Sequence, residues 1–188
     1  MDWDYPRPFI LPVAPRAGDI DGLNHTNNAV YVRWCEQAGW AHSEQLGLSL
    51  DDYRRLDRAM AIRRGEYDYL LPTLLDEPLL LATWLVGGDG KLSMERRFQL
   101  VREHDGVTVL RGRWDLVCIE IASGRPRRMP AEFLDTYMPV AAITLPTATL
   151  RVLKEHVERN AVPLANAGSD CLLSPLPVRG NDAPLPAT

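Results

Sequence analysis

The chain has little of what marks several classes of protein. Only three cysteines occur in 188 residues, and Cys35, Cys118 and Cys171 are too scattered for a disulfide framework or a zinc site. Basic residues are not in excess, because 21 lysines and arginines stand against 25 acidic residues, for a net charge of −4. This balance argues against binding of duplex nucleic acid. We therefore expect no metal, no redox cofactor and no nucleic-acid partner.

Long hydrophobic runs are also missing. No uninterrupted apolar run approaches the roughly 18 residues that a transmembrane helix needs. The N-terminus, Met1-Asp-Trp-Asp-Tyr-Pro, is acidic and lacks the basic-then-apolar pattern of a secretory signal. Together with the scattered cysteines, this predicts a cytoplasmic protein without a membrane span.

The overall composition is typical of one soluble domain with an appended tail. Hydrophobic residues make up 46% of the chain and charged residues 24%. We place the domain at residues 1–140, which is long enough to bury a sizeable core. A C-terminal extension follows at 141–160, with a helical spacing over 147–160. Residues 161–188 hold five prolines and no clear period, and we expect them to form a mobile tail.

The hydrophobic pattern changes period along the domain and predicts an α+β fold. We expect one strand, one long helix that is apolar nearly all round in its first half, a short helix, and four more strands. The predicted ranges are 8–14, 27–46, 49–56, 59–69, 78–86, 91–102 and 107–121. Turn signals at Gly87–Gly90 and Asp105–Gly106 favour hairpins, so we expect the last four strands to form an antiparallel meander. The sheet would then hold about five strands against one long helix.

One residue interrupts this apolar pattern. Leu92, Met94, Phe98 and Leu100 share one face of the strand at 91–102, but Arg96 lies on that face too. Arg96 is therefore the arginine that we expect to have a buried or interfacial role.

The segment just before the long helix carries the chemistry. It runs from Gly18 to Tyr31 and contains Asp19, Asp21 and His25. A helix N-terminus has unpaired N–H groups that stabilise an oxyanion, and a carboxylate a few residues upstream is able to attack a carbonyl or activate water. Spacing alone also fits a plain capping loop, since Asn and Asp often satisfy the amides at helix ends. Both interpretations stay open at this point.

A family resemblance favours catalysis. The pattern Asp-x-Asp-x-x-x-His-x-Asn-Asn-x-x-Tyr resembles the signature of hot-dog thioesterases of the 4-hydroxybenzoyl-CoA thioesterase type, which include plant acyl-ACP and bacterial acyl-CoA thioesterases. The segments Tyr67–Pro72 and Gly124–Pro130 are similar to later parts of the same family. The likeness spans residues 8–135. It implies a hot-dog fold, in which an antiparallel sheet wraps around a long central helix.

The resemblance also implies roles for residues. Asp21 matches the catalytic aspartate, as nucleophile or general base, and Asn28 matches the position whose backbone N–H polarises the thioester carbonyl. His25 is assigned to the catalytic group, either touching substrate or, as we favour, orienting the loop. Asp19 is expected to be structural. Five further residues are assigned to substrate binding: Asn27, Tyr31, Arg125, Arg127 and Arg128.

Two of these assignments have alternatives. The three arginines would clamp coenzyme A phosphates through their planar guanidinium groups, or they would form a solvated turn. Glu36 on the helix would be a second active-site acid or, as we favour, an ion-pair partner.

The predicted activity is hydrolysis of an acyl-CoA or acyl-ACP thioester to a free acid and a thiol. The alternatives are a non-catalytic acyl-thioester binding protein and a hot-dog dehydratase or hydratase. An open sheet edge favours pairing with a second copy, so we expect a homodimer or a dimer of dimers, that is, a homotetramer.

Overall fold

The computed structural model describes residues 1–141, which form an α+β domain. The predicted extension at 141–160 and the tail at 161–188 lie, apart from Ala141, outside the described residues. The helices are α1 (Asn28–Gln45), α2 (Leu50–Leu56) and α3 (Ala131–Tyr137). The strands are β1 (Phe9–Val13), β2 (Arg58–Tyr69), β3 (Leu79–Gly88), β4 (Ser93–Arg102) and β5 (Thr108–Glu120). The elements before α3 follow the predicted ranges closely, and α3 was not predicted.

All five strands form one antiparallel sheet in the order β1-β3-β4-β5-β2. The predicted four-strand meander is therefore wrong in one connection. Only β3, β4 and β5 follow one another as hairpins, while β2 pairs with β5, and β1 lies beside β3. The turn signals lie at the two hairpins, whereas residues 70–78 between β2 and β3 carry the chain from one side of the sheet to the other. As a result, β1 and β2 are the two edge strands.

Helix α1 lies against one face of the sheet. It begins where the Asn27 side chain accepts a hydrogen bond from the Ala29 amide, and it ends before Gly47, whose φ of +94° suits glycine. One side of α1 is buried through residues such as Tyr31 and Trp34. Although the first half of α1 is apolar nearly all round, it is not buried on several sides, because Val32 is 37% exposed.

Arg96 lies on the helix-facing side of β4 among apolar neighbours. Its side chain reaches over Gly39 of α1, where an added Cβ would approach the Arg96 Nε to 3.9 Å. Only 3% of the residue is exposed, which confirms the buried position expected from the sequence.

The opposite face of the sheet is covered by the N-terminal segment, Met1–Arg7. Trp3 and Tyr5 pack against Trp84, whose indole N–H donates to the Pro6 carbonyl at 3.1 Å. Asp4 forms two hydrogen bonds with Arg111 at 2.7 and 2.9 Å. This cover explains why β3 is buried on both faces.

None of the helices in residues 1–141 is long and apolar enough to cross a membrane.

Candidate active site

The segment before α1 folds as a small hairpin. The Asn27 amide donates to the Asp19 carbonyl at 2.8 Å, and Ile20 bridges to Thr26. Nearer the tip, the Asp21 amide donates to the His25 carbonyl at 2.8 Å. The hairpin thus holds Asp21 opposite His25, on the segment that leads directly into the N-terminus of α1.

The Asp21 carboxylate is held by the loop backbone on one side only. Its Oδ1 accepts from the Leu23 amide at 2.8 Å and from the His25 amide at 3.3 Å. Its Oδ2 has no hydrogen-bond partner among residues 1–141, and the residue is partly exposed. One oxygen therefore fixes the orientation of the carboxylate, while the other is available for chemistry.

The first turn of α1 leaves one amide free. The Ala29 amide is bonded to the Asn27 side chain and the Val30 amide to the Asn27 carbonyl, both at 2.9 Å. The Asn28 amide has no acceptor in the described part of the chain. This is the N–H group that the resemblance assigns to the thioester carbonyl, and the partial positive charge of the helix end strengthens it as a donor.

His25 and Asn27 lie in the same loop, and both are exposed. The backbone of His25 holds Asp21, while its imidazole makes no hydrogen bond within residues 1–141. Asn27 uses its side-chain oxygen as the helix cap. Main-chain bonds and the side chains of Asp21 and Asn27 therefore orient the loop, and the His25 imidazole adds no bond to them within the described residues.

Tyr31 does not reach the surface of this loop. It is 3% exposed, and its hydroxyl bonds the Thr73 hydroxyl at 2.9 Å, while the Thr73 hydroxyl donates to Thr26 at 2.7 Å. The geometry thus gives Tyr31 a positioning role: it ties the start of α1 to the segment after β2. Tyr69 is the tyrosine at the surface here, with its hydroxyl 3.4 Å from the Asn28 carbonyl oxygen.

Asp19 is engaged in structural contacts. It accepts from the Arg16 amide at 2.9 Å and forms an ion pair with Arg33. These two contacts hold the pKa of Asp19 below its ordinary value, and the Arg16 amide has the larger effect. The structural role expected for Asp19 agrees with this geometry.

The basic cluster lies far from Asp21 within one chain. Arg125, Arg127 and Arg128 follow the end of β5, which pairs with the start of β2, whereas Asn28 is close to the end of β2. The two ends of a 12-residue strand are roughly 35 Å apart. All three arginines are exposed, and Arg127 lies 3.4 Å from Glu120. A single chain does not bring this cluster to the site.

A cavity of about 210 Å³ lies between α1 and the sheet. Glu36, Trp40 and Ser43 line it from α1, and Met60 and Ile62 line it from β2. Arg96, Tyr53 and Tyr137 also reach it. Sequence reasoning missed this site, and the one signal for it was the position of Arg96 on an apolar strand face.

The family model of the thioesterase-like superfamily matches residues 15–136, which is more than half of the chain. The chain belongs to the thioesterase-like superfamily. No significant match was found among curated protein sequences.

Solved structures of several other proteins share the fold of this chain. The hypothetical protein SAV2348 from Staphylococcus aureus, in complex with CoA, aligns with a TM-score of 0.67 at 17% identity, over 78% of this chain and 91% of that one. The 1,4-dihydroxy-2-naphthoyl-CoA thioesterase Slr0204 from Synechocystis aligns with a TM-score of 0.64 at 15% identity, over 70% of this chain and 96% of that one. A DHNA-CoA thioesterase from Staphylococcus aureus aligns with a TM-score of 0.60 at 21% identity, over 82% of this chain and 97% of that one. The expected hot-dog fold is confirmed.

Proposed function

We propose that the protein hydrolyses acyl-CoA thioesters, with Asp21 and the Asn28 amide as its catalytic groups. The observation that carries this proposal is that, among residues 1–141, Asp21 Oδ2 has no hydrogen-bond partner and the Asn28 amide has no acceptor, and that both residues lie on the segment that leads into α1. The superfamily supports the reaction class. Acyl-ACP is the second carrier that we consider, and the cytoplasm is the expected location.

The proposed reaction follows from the two groups. The Asn28 N–H donates to the thioester carbonyl oxygen and stabilises the negative charge that develops there. Asp21 either takes a proton from water as it attacks, or attacks the carbonyl carbon itself to form an anhydride that water opens. In both routes a C–O bond from water replaces the C–S bond, and the leaving thiolate takes up a proton.

A second copy of the chain completes the site in our proposal. Strand β2 has an open edge, and apolar side chains along this side are exposed, with Ile62 at 50% and Trp40 at 42%. Exposed strand edges and apolar patches favour association. We therefore propose a homodimer paired along β2, which is able to assemble further into a dimer of dimers.

Antiparallel pairing of β2 with its copy brings the separated parts together. Around a two-fold axis, the Tyr69 end of one β2 lies beside the Arg58 end of the other. Asn28 is near the Tyr69 end, while the cavity and the basic cluster lie towards the Arg58 end. The acyl group of a substrate at Asp21 would thus enter the cavity of the second copy, whose Arg125, Arg127 and Arg128 would face the CoA phosphates.

The test is thiol release from short, medium, long and aromatic acyl-CoAs by the wild type and by Asp21→Asn. Loss of the carboxylate should lower kcat about a hundredfold or more, with KM little changed. Asp51→Asn is the matched control, because the Asp51 side chain is 90% exposed on α2 and should leave the rate unchanged.

The outcomes separate the candidate functions. Wild-type rates in Asp21→Asn would overturn the role of Asp21. Hydrolysis of acyl-ACP alone would change the carrier. Binding of acyl-CoA without turnover by the wild type would favour the non-catalytic binding protein, and reversible hydration of an enoyl-CoA would favour the dehydratase.

A further inference from the structure

Arg96 is a buried charge with no carboxylate partner in the described part of the chain. It lies on the cavity wall with 3% of its surface exposed, and no Asp or Glu of residues 1–141 lies within ion-pair distance of it. Burying a charge is costly unless it is paired and hydrogen-bonded. An arginine in this position therefore needs an anionic partner from elsewhere.

The existing contacts of Arg96 leave much of its hydrogen-bonding capacity unused. Its Nη1 reaches His42 Nδ1 at 3.1 Å and Thr83 Oγ1 at 3.2 Å. Its Nε and Nη2 have no partner among residues 1–141, and neither is one of the fully enclosed side-chain nitrogens. A guanidinium group offers five N–H donors in a planar fork, which matches a carboxylate.

The neighbouring hydroxyl groups do not supply the missing charge. The Tyr53 and Tyr137 hydroxyls are 2.5 Å apart, Tyr137 donates to Ser43 at 3.0 Å, and Ser43 donates to the Gly39 carbonyl at 3.1 Å. Burial raises the pKa of Tyr53 far above its usual value, so its hydroxyl stays neutral. Burial also lowers the pKa of Arg96, to about 10, and the guanidinium remains charged at neutral pH.

The cavity has the size and position of an acyl-binding pocket. Its volume of about 210 Å³ is below the range of roughly 300–1,000 Å³ for drug-sized ligands, which suits a short acyl group. Its lining residues on α1, from Glu36 to Ser43, lie about 12–22 Å along the helix from Asn28. In the dimer proposed above, the cavity would therefore serve the thioester held by the second copy.

We propose that this cavity selects short acyl groups that carry a carboxylate at the end remote from the thioester, and that Arg96 is the residue that recognises this carboxylate. The proposal rests on the proposed thioester hydrolysis and names its substrate class. The carboxylate would accept from Nε and Nη2 of Arg96, with the Tyr53 and Ser43 hydroxyls beside it. Ile62, Met94 and Leu116 would surround the methylene groups.

Glu36 lies at the same cavity and provides a check. It is exposed, and it forms no ion pair in the described part of the chain. Its negative charge opposes entry of an anionic acyl group, so Glu36→Gln should preserve or increase the preference for carboxylated substrates. If Glu36 were instead the counter-ion of Arg96, Glu36→Gln would destabilise the fold as strongly as loss of Arg96.

The experiment compares glutaryl-CoA with pentanoyl-CoA, which have five-carbon acyl groups that differ in a terminal carboxylate against a methyl group. We expect wild-type kcat/KM to favour glutaryl-CoA at least about tenfold. Arg96→Met should lower kcat/KM for glutaryl-CoA by about a hundredfold, with pentanoyl-CoA kept within about threefold. Arg96→Lys keeps the positive charge but lacks the planar pair of N–H donors. Its kcat/KM for glutaryl-CoA should therefore lie between the values of the wild type and of Arg96→Met.

The same experiment contains a control for folding and an arm without catalysis. Activity of Arg96→Met on pentanoyl-CoA shows that the variant is folded, and Arg96→Lys preserves the buried charge if Arg96→Met is unstable. Thermal stabilisation by monomethyl glutarate, measured against methyl pentanoate for the wild type and each Arg96 variant, requires no turnover, and the ester group leaves the remote carboxylate as the one difference between the two ligands. Selective stabilisation of the wild type by monomethyl glutarate would support the cavity even if neither thioester were hydrolysed.

Equal kcat/KM for the two thioesters, a preference that survives in Arg96→Met, or equal stabilisation by monomethyl glutarate and methyl pentanoate would overturn the proposal. Failure of thioester hydrolysis would appear differently, as absence of thiol release from both substrates while the response of the wild type to monomethyl glutarate is retained.

Discussion

At the scale of single residues, the charge of Arg96 affects the protonation of His42. Burial, which is the larger cause, and the positive charge of Arg96, which is the smaller, together lower the pKa of His42 to about 4. His42 is therefore neutral at pH 7, and its Nδ1 is able to accept from Arg96 while the ring stacks on Phe9 with centroids 5.1 Å apart. Protonation would place two positive charges side by side in the core.

This coupling predicts that stability falls in mild acid. The ordinary pKa of 6.5 lies above the folded value of about 4, so the unfolded chain binds more protons between those two values. Stability is thus lost as the pH falls from 6.5 towards 4. From pH 7 to pH 5 we expect a loss of about 1 kcal/mol from His42, after allowing for its partial exposure, or roughly 3–5 °C in Tm.

The control is His42→Asn, whose amide oxygen keeps an acceptor near Arg96 but does not titrate. Calorimetry at both pH values should show a smaller drop in Tm for the variant than for the wild type. Equal drops would mean that His42 is not responsible.

The sequence indicates the role of a residue when a short-range pattern carries it, and not when the role depends on contacts that are distant along the chain. Arg96 stood out because a charge on an otherwise apolar strand face breaks a short-range pattern. His42 has no comparable signal in the sequence, because its properties come from Phe9 and Arg96, which are distant along the chain. Asp21 and Asn28 could be assigned only through the family resemblance, since a capping loop uses the same residue types.

At the scale of elements, the N-terminal segment acts as the cover of one sheet face. Deleting Met1–Arg7 should expose Trp84 and Val86 and remove the bonds to Arg111 and Gln99. We expect a loss of about 2–4 kcal/mol in the free energy of unfolding, measured in urea. Arg7→Ala, at an exposed position, should be neutral, and unchanged stability of the deletion would contradict this role.

Local patterns predicted the elements before α3 but not the order of all strands. Alternation and turn residues are properties of neighbouring sequence, and they gave the strand ranges and the two hairpins. The pairing of β2 with β5 depends on where residues 70–78 run, and the two prolines in this segment mark a loop without setting its direction. The covering of β3 by Trp3 and Tyr5 likewise depends on a contact some 80 residues away in sequence.

At the scale of the whole molecule, the account requires association through one sheet edge and not through the other. Ile62 on β2 and Ile10 on β1 are matched in type and are both exposed, at 50% and 39%. Ile62→Glu should shift the protein from dimer to monomer in analytical ultracentrifugation, while Ile10→Glu should not. A dimer that survives Ile62→Glu, or that Ile10→Glu dissociates, would place the interface elsewhere.

The central claim is that the Asn28 amide stabilises the oxyanion, and its most direct test removes that single N–H. Asn28 is the first residue of α1, where proline is well tolerated, and Asn27 has φ −60° and ψ 135°, the conformation favoured before proline. Asn28→Pro should therefore fold normally, and Asn28→Ala is its control because alanine keeps the amide. We predict that kcat/KM for acyl-CoA hydrolysis falls about a hundredfold or more in Asn28→Pro and stays near the wild-type value in Asn28→Ala, with similar Tm values. Equal activity of the two variants would contradict the account.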